Sequence, residues 1–182
     1  MSVHFALLRH APTIWNEAGR LQGSADICLS RAGKTLAAQW RLPPPYDAWR
    51  RVASPLMRAR QTAQLLKPAM TFTLEPRLRE VRFGIWEGRL LAELERRRKR
   101  GFLAPGMEPP AQLKRRLRDW VSHVARGGEP LVGVSHKGVI RAMRRLASAR
   151  GAWRDDCLQL FAARVDGTVS LVRDDVALLA AP

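Results

Sequence analysis

Two basic dyads in this sequence, Arg9-His10 and His136-Lys137, each directly follow a short apolar run. Apolar runs of that length are typical of buried strands, and in an open α/β sheet ligands bind at the carboxyl ends of the strands. Side chains delivered there from two strands can converge on one ligand. Imidazole and guanidinium groups suit a dianionic phosphate better than a neutral molecule, and one imidazole could attack phosphorus.

Two further segments carry groups suited to the same chemistry. Arg58 lies in the first turn of a helix predicted to begin behind Ser54, where a guanidinium and free backbone N–H groups both favour an anion. The alternative is an ordinary exposed arginine at a helix start. Glu80 and Glu87 lie in a loop of apolar residues and glycines. Either carboxyl could have a raised pKa in a partly dry setting and serve as a general acid.

Apolar strand-like runs alternate with helical patterns, and this alternation predicts the scaffold that positions these groups. The pattern predicts strands over 3–9, 51–54, 71–75 and 131–135, and helices over 31–40, 55–67, 91–100, 112–125 and 139–149. Pro55 stands where proline favours a helix start, and Asp166-Gly167 predicts the turn of a closing hairpin. We therefore expect an α/β fold, a three-layer α/β/α sandwich. Its central sheet would be mostly parallel, with a C-terminal β-hairpin. Residues 1–182 would form one domain.

The charge of the chain is unusual for its size. Its 182 residues include 32 Lys and Arg against 16 Asp and Glu, a net charge of +16. Residues 92–150 hold 15 of the basic and 5 of the acidic residues. This excess could steer anions to a cleft, hold nucleic acid by weak electrostatic attraction, or only solvate helix faces. The sequence shows no recognised nucleic-acid motif, and its tryptophans are scattered rather than set as a stacking stripe.

The sequence favours a cytoplasmic protein without membrane contact. No apolar run approaches the ~20 residues needed to span a bilayer. The apolar run at 3–8 lacks the basic segment that precedes the core of a signal peptide. Cys28 and Cys157 show neither metal-type spacing nor a disulfide framework, which favours a reducing compartment. Nothing in the sequence indicates an oligomeric state, and the apolar stretch at 176–182 could pack on the core or on a partner.

In their order along the chain, these segments resemble the motifs of the histidine phosphatase superfamily, which has the phosphoglycerate-mutase-like fold. The resemblance runs from Val3 to about Arg145. It is carried by LLRHAPTIWNEAGRLQG at 7–23, LSRAG at 29–33, SPLMRARQTA at 54–63, EVRFGIWEG at 80–88, and VSH at 134–136 with GVIR at 138–141.

The resemblance implies a role for each matching residue. His10 would be the nucleophile that becomes phosphohistidine. Glu80, which the family pattern favours over Glu87, would protonate the leaving oxygen and then deprotonate water. The phosphoryl oxygens and the charge of the transition state would be held by Arg9, Arg58 and His136, with Asn16 lining the phosphate pocket. No metal or cofactor is implied, because arginines and imidazolium supply the positive charge.

Two positions depart from the family pattern. Ala11 follows the first histidine where the family usually has glycine, and a positive φ there would cost alanine roughly 1 kcal/mol. Lys137 follows the second histidine, again in place of glycine. Its ammonium could bind a second anionic group of the substrate beside the phosphate pocket, or it could point to solvent.

The resemblance implies hydrolysis of a phosphate ester rather than mutase chemistry. The family's glycolytic mutases are longer and cover the site with extra segments, whereas an open site admits water. We expect a small phosphorylated metabolite as substrate. The basic run Arg96–Arg100 could attract a polyanionic ester or could be a solvated helix face. The alternatives are a phosphoglycerate-type mutase, or a non-catalytic basic protein that binds anions or nucleic acid on the same fold.

Overall fold

Two neighbouring parallel strands bring the two dyads together. In the computed structural model, which describes residues 2–94, 104–150, 154 and 157–180, β1 (Val3–Arg9) pairs with β5 (Leu131–Ser135). The register sets Arg9 opposite Ser135, so His10 and His136 leave the same edge of the sheet one residue further on. The sequence predicted both strands with these bounds.

Within the described ranges the central sheet contains six strands, in the order β4 (Thr73–Leu74), β3 (Arg50–Ala53), β5, β1, β6 (Cys157–Ala163) and β7 (Val169–Ala177). Strands β3 and β4 continue the parallel part beyond β5. On the other side, β6 and β7 form the expected C-terminal hairpin, with β6 antiparallel to β1. Four parallel strands and one antiparallel hairpin confirm a mostly parallel sheet.

Helices cover both faces of this sheet. Side chains alternate along β1, so Phe5 and Leu7 point into one apolar core while Ala6 and Leu8 point into the other. The first core is closed by α4 (Pro110–Gly127) and α5 (Lys137–Leu146), and α3 (Met57–Leu65) closes the second. Helix α2 (Arg31–Gln39) packs against α3. The expected three-layer α/β/α arrangement is therefore confirmed.

Several boundaries differ from the prediction for local reasons. Helix α3 begins at Met57 rather than at Pro55, because Ser54 Oγ accepts the backbone N–H of Leu56 at 3.3 Å and holds a turn ahead of the helix. A one-turn helix, α1 (Ile14–Glu17), occupies part of the predicted first loop. Most of the predicted helix at 91–100 and all of the basic run Arg96–Arg100 lie outside the described residues.

The end of the chain packs on the core as far as it is described. Val176 is buried in the second core, and β8 (Leu179–Ala180) pairs with β2 (Trp40–Arg41) to form a small second sheet that the sequence did not predict. Within the described ranges, no helix has the length and apolar character that crossing a membrane requires.

Candidate active site

The two histidines meet directly behind the paired strand ends. The backbone N–H of His10 donates to the carbonyl of Ser135 at 2.9 Å, which continues the strand pairing one residue past β1. The imidazole rings of His10 and His136 are 5.2 Å apart between centroids, tilted by 56°. Both side chains are buried, with 6% of His10 and none of His136 exposed. The convergence expected from the sequence is thus present.

A backbone contact fixes the tautomer of His10. Its Nδ1 lies 2.7 Å from the carbonyl oxygen of Ala11. Since a carbonyl oxygen only accepts hydrogen bonds, Nδ1 carries the proton and Nε2 of the neutral ring keeps its lone pair. Burial lowers the pKa of His10 well below its usual value, and the positive charges of Arg58 and Arg9 lower it further. His10 is therefore neutral at pH 7 and presents a nucleophilic nitrogen.

His136 is anchored by a hydroxyl group on the neighbouring strand end. Its Nε2 lies 2.7 Å from Oγ of Ser54, which directly follows β3. Its Nδ1 is buried and has no hydrogen-bond partner among the described residues. Burial and the charge of Arg58 lower its pKa well below the usual value. A buried nitrogen without a partner costs free energy, so it indicates a place where a ligand atom belongs.

Arg58 is a buried cation rather than an exposed helix-start arginine. Its guanidinium donates to the carbonyls of Ala25 and Gly23 at 2.8 and 2.7 Å, while its buried Nε has no partner in the part of the chain that the structure describes. Burial lowers its pKa to about 10, so the group remains charged at pH 7. The two carbonyls hold the planar fork in one orientation, as binding of a phosphoryl group requires.

Glu80 is held against the start of helix α5. Its Oε1 accepts the backbone N–H of Val81 at 2.9 Å, and its Oε2 accepts the N–H of Gly138 at 3.1 Å. Burial raises the pKa of the carboxyl, although these two hydrogen bonds and the charges of Arg58 and Arg116 act in the opposite direction. A carboxyl with a raised pKa in a cleft has the properties of a general acid.

Glu87, the other candidate carboxylate, has a structural contact set. Its Oε1 accepts the backbone N–H of Phe83 and the backbone N–H of Ser24, both at 2.8 Å, and also the Ser24 hydroxyl at 3.0 Å. These bonds tie the loop around Gly23 to the loop around Phe83. The geometry therefore separates the two glutamates: Glu80 faces the cavity described next, and Glu87 holds its wall together.

A cavity of about 310 Å³ lies in front of His10. It is lined by six of the residues singled out from the sequence and by several that were not: Arg9, His10, Asn16, Arg58, Glu80 and Lys137, with Arg20, Leu21, Gln22, Gly23, Phe83, Leu91, Gly138 and Arg141. The seventh, His136, lies buried beside His10. The amide oxygen of Asn16 accepts both the N–H and the hydroxyl of Thr13 at 3.1 Å, which leaves the amide nitrogen as a donor.

Besides the cations Arg20 and Arg141, two uncharged polar residues of the site received no role from the sequence. Gln22 is 8% exposed and lines the cavity, and its amide oxygen has no hydrogen-bond partner within the described ranges. Ser54 orients His136. Both residues lie inside the segments that carry the resemblance, so the sequence could have marked them as candidates. Only their burial and contacts in the structure show what each could do in the site.

The residue after His10 is accommodated without strain. The non-glycine residues with positive φ in the described ranges comprise Ser148 alone, so Ala11 is not in the left-handed region. It is fully buried, and its N–H donates to the Thr62 hydroxyl at 3.0 Å. Alanine would cost free energy at this position only if its φ were positive, and its φ is not positive.

Comparisons with known proteins agree with this geometry. Residues 5–167 match the family model of the histidine phosphatase superfamily, branch 1. A probable phosphoglycerate mutase GpmB of Yersinia pestis (strain Pestoides F) is 34% identical over 148 residues, 71% of this chain. The match covers 67% of that relative's length, and 42% of the length of a relative of the same name from Erwinia tasmaniensis.

Solved structures show the same fold over the whole chain. A phosphoglycerate mutase from Thermus thermophilus superposes with a TM-score of 0.74 at 30% identity, covering 99% of this chain and 100% of that one. A mycobacterial glucosyl-3-phosphoglycerate phosphatase gives 0.75 at 23% identity, covering 99% and 100%, which shows the fold alone. The chain belongs to the histidine phosphatase superfamily.

Proposed function

We propose that this protein is a metal-independent phosphomonoester hydrolase that works through a phosphohistidine on His10, with a small phosphorylated metabolite as substrate. The observation that carries the proposal is the state of His10. Its Nδ1 is committed to the Ala11 carbonyl, so its neutral Nε2 is the nitrogen available to attack phosphorus. The cavity in front of it is lined by Arg9 and Arg58, whose charges match a phosphate dianion.

In the first half of the reaction, His10 Nε2 forms a bond to phosphorus while the bond from phosphorus to the ester oxygen breaks. Arg9, Arg58 and His136 hold the equatorial oxygens, and the charge of the two guanidinium groups stabilises the transition state. Asn16 donates from its amide nitrogen to the same group. Glu80, whose pKa is raised by burial, gives its proton to the leaving oxygen, and the alcohol departs.

In the second half, water replaces the alcohol. Glu80, now a carboxylate, takes a proton from the water as its oxygen bonds to phosphorus and the bond to Nε2 breaks. Orthophosphate leaves, and His10 returns to its neutral state with Glu80 protonated again. No step requires a metal, since the arginines supply the positive charge.

A mutase is the second candidate, because the relatives named above are called phosphoglycerate mutases. It would return the phosphoryl group from His10 to a second hydroxyl of a bound intermediate, which needs a site closed to water. Hydrolysis is favoured here because exposed side chains, those of Leu91 and Arg141, contribute to the cavity lining. Water can therefore reach the phosphohistidine.

The test compares hydrolysis of p-nitrophenyl phosphate in EDTA by the wild type and by His10→Ala. We expect the variant to lose at least about 10³-fold in kcat. His123→Ala, at an exposed position of α4, is the matched control and should keep full activity. Acid-labile phosphate on the quenched wild-type protein, absent from His10→Ala, would identify the intermediate.

Four results would contradict the proposal. Equal turnover by His10→Ala would show that another group is the nucleophile. Activity abolished by EDTA would show that a metal is required. Faster interconversion of phosphoglycerates than release of phosphate would make the protein a mutase. Lack of turnover, combined with salt-sensitive anion or nucleic-acid binding that His10→Ala retains, would favour the non-catalytic alternative.

A further inference from the structure

The side chain of Ser54 lies between two strand ends of the site. Ser54 directly follows β3, and its backbone N–H donates to the carbonyl of Val134 in β5 at 2.9 Å. This bond fixes Ser54 against the strand that ends one residue before His136. The serine is fully buried, and its Oγ lies 2.7 Å from Nε2 of His136. The reaction steps given above assign no part to this hydroxyl group.

The hydrogen bonds of the hydroxyl group determine which way it donates. Its Oγ accepts the backbone N–H of Leu56 at 3.3 Å, and its other partner among the described residues is Nε2 of His136. A hydroxyl group has one proton to donate and two lone pairs. If Nε2 donated to Oγ, both lone pairs would be used and the buried O–H would have no acceptor in the described part of the chain. Because an unpaired buried donor costs free energy, the O–H of Ser54 donates to Nε2.

This direction of donation determines the tautomer of His136. Burial and the charge of Arg58 lower the pKa of the ring well below its usual value, so the ring is neutral at pH 7. A neutral imidazole carries one proton, and a ring whose Nε2 accepts a hydrogen bond carries that proton on Nδ1. The buried Nδ1–H has no acceptor among the described residues. His136 therefore has one donor to offer to a ligand.

The two histidines of the site thus offer opposite groups although they are the same tautomer. His10 uses its Nδ1–H in the bond to the Ala11 carbonyl, which leaves the lone pair of Nε2 for attack on phosphorus. His136 uses its Nε2 in the bond to Ser54, which leaves Nδ1–H. The ring centroids are 5.2 Å apart, so a phosphoryl group at Nε2 of His10 lies close to the second ring.

The other tautomer of His136 would not suit this reaction. The equatorial oxygens of a phosphoryl group carry negative charge and accept hydrogen bonds, so an N–H attracts them and a nitrogen lone pair repels them. Within the described residues Nδ1 has no contact that would select its protonation. The selection therefore depends on the group at Nε2, which is the hydroxyl of Ser54.

We propose that Ser54 is a positioning residue of the reaction: its hydroxyl donates to Nε2 of His136 and so makes Nδ1–H of that ring a donor to the phosphoryl group. The proposal rests on the proposed function and deepens it, because it assigns His136 the part of a neutral donor. The positive charge at the phosphoryl oxygens then comes from Arg9 and Arg58 alone.

The first test observes the tautomer directly and needs no variant of Ser54. Long-range ¹H–¹⁵N correlation spectra of the ¹⁵N-labelled full chain, above pH 7, separate the protonated from the bare nitrogen of each ring. The chain has four histidines, and loss of one set of signals in His136→Gln assigns that ring. We expect His136 to be protonated on Nδ1 and bare on Nε2. A His136 protonated on Nε2 in the wild type would overturn the proposal.

The second test compares two substitutions of buried serines. In Ser54→Ala the ring loses its donor, and we expect the averaged shifts of a tautomer mixture. The Kd of orthophosphate, measured by calorimetry, should then rise about three- to tenfold, because only the Nδ1–H fraction of the protein is competent to bind it.

Ser135→Ala is the matched control. Its hydroxyl is equally buried, lies next to His136 in the chain and donates to the Leu78 carbonyl at 2.9 Å instead of to the ring. Both variants lose one buried hydrogen bond, so the Tm of each should fall. Ser135→Ala should keep the Nδ1–H signals of His136 and a Kd for orthophosphate within about twofold of the wild type.

Failure of this inference is separable from failure of the proposed function, because neither the spectra nor the Kd values need turnover. An unchanged tautomer and Kd in Ser54→Ala would overturn the role of Ser54 and leave the phosphatase standing. Equal changes in Ser54→Ala and Ser135→Ala would also overturn it, since they would reflect a general disturbance of the strand ends. The expected spectra and Kd values in a protein that hydrolyses no ester would support the donor role and contradict the proposed function.

Discussion

A methyl group at position 138 would strike the proposed acid. Gly138 is the second residue of α5, and its N–H donates to Oε2 of Glu80 at 3.1 Å. In Gly138→Ala the new Cβ would overlap Oε1 of Glu80 and would lie 3.0 Å from its Cδ and 3.1 Å from Cγ2 of Val81. Because the carboxylate is the end of a flexible side chain, it would swing aside and the helix would stay intact.

The size of the effect follows from the displacement. To regain ordinary contact the carboxylate must move by about 1 Å, and a misplacement of that size can cost ~10²-fold in rate. A general acid as a whole contributes roughly 10²–10⁴-fold. We therefore expect kcat for an alkyl phosphate to fall ~10²-fold in Gly138→Ala. p-Nitrophenyl phosphate should lose less than about tenfold, since its leaving group needs little protonation.

The free energy of unfolding of Gly138→Ala should rise while its kcat falls. Alanine in place of glycine within a helix stabilises by about 0.4–1 kcal/mol where the backbone permits it. The assay measures kcat for both esters and Tm for Gly138→Ala. Gly127→Ala, at the end of α4 where no atom lies within 4 Å of the new Cβ, is the control and should leave both rates unchanged. Full activity of Gly138→Ala on the alkyl ester would refute the role of Glu80, and an equal loss on both esters with a lower Tm would indicate damage to the helix.

Two further predictions test the other assignments. Glu87→Ala should lower the free energy of unfolding by about 1–3 kcal/mol, because it leaves the N–H groups of Ser24 and Phe83 without their acceptor; its Tm should drop more than that of Glu80→Gln, and the reverse order would contradict the structural role. In a pH profile of kcat/KM, activity should persist below pH 6.5, the usual pKa of histidine, because burial lowers the pKa of His10 and delays its protonation as the pH falls. The alkaline limb should report loss of the proton from Glu80, whose pKa is raised from 4.5, and should disappear in Glu80→Gln; an acid limb at or above pH 6.5 would show that His10 is not held neutral by burial.

The sequence predicted the part of the site that backbone topology alone determines. Two strands that end in Arg9-His10 and Ser135-His136 must deliver those side chains to one edge once they pair in parallel, and the periodicity of apolar residues was enough to identify both strands. The alternation of apolar runs with helical patterns predicted the helical layers, and the Asp166-Gly167 turn signal predicted the hairpin. These features depend only on the pattern of residue types along the chain, so a single sequence is enough to predict them.

Properties that depend on burial could not be predicted in the same way. Residue types left Glu80 and Glu87 equivalent, and only the resemblance favoured Glu80; the contacts of Glu87 with Ser24 and Phe83 now give it a separate task. Gln22 can be identified as a site residue only from the structure, where its buried amide oxygen has no hydrogen-bond partner among the described residues. The start of α3 was displaced by one side-chain hydrogen bond, which no propensity scale describes.

The proposed reaction needs a protonation state that free side chains rarely adopt. His10 must be neutral while Glu80 is protonated, yet their usual pKa values of 6.5 and 4.5 favour the opposite arrangement. With those values the required state would reach a population of only about 1% at best, near pH 5.5. Burial disfavours both charged forms at once, which lowers the pKa of the imidazole and raises that of the carboxyl. Arg58 adds to the first shift and opposes the second, so desolvation is the one cause that serves both. The burial of these two side chains therefore prepares nucleophile and acid together, and a variant that exposes either one to solvent should reduce the population of its reactive form.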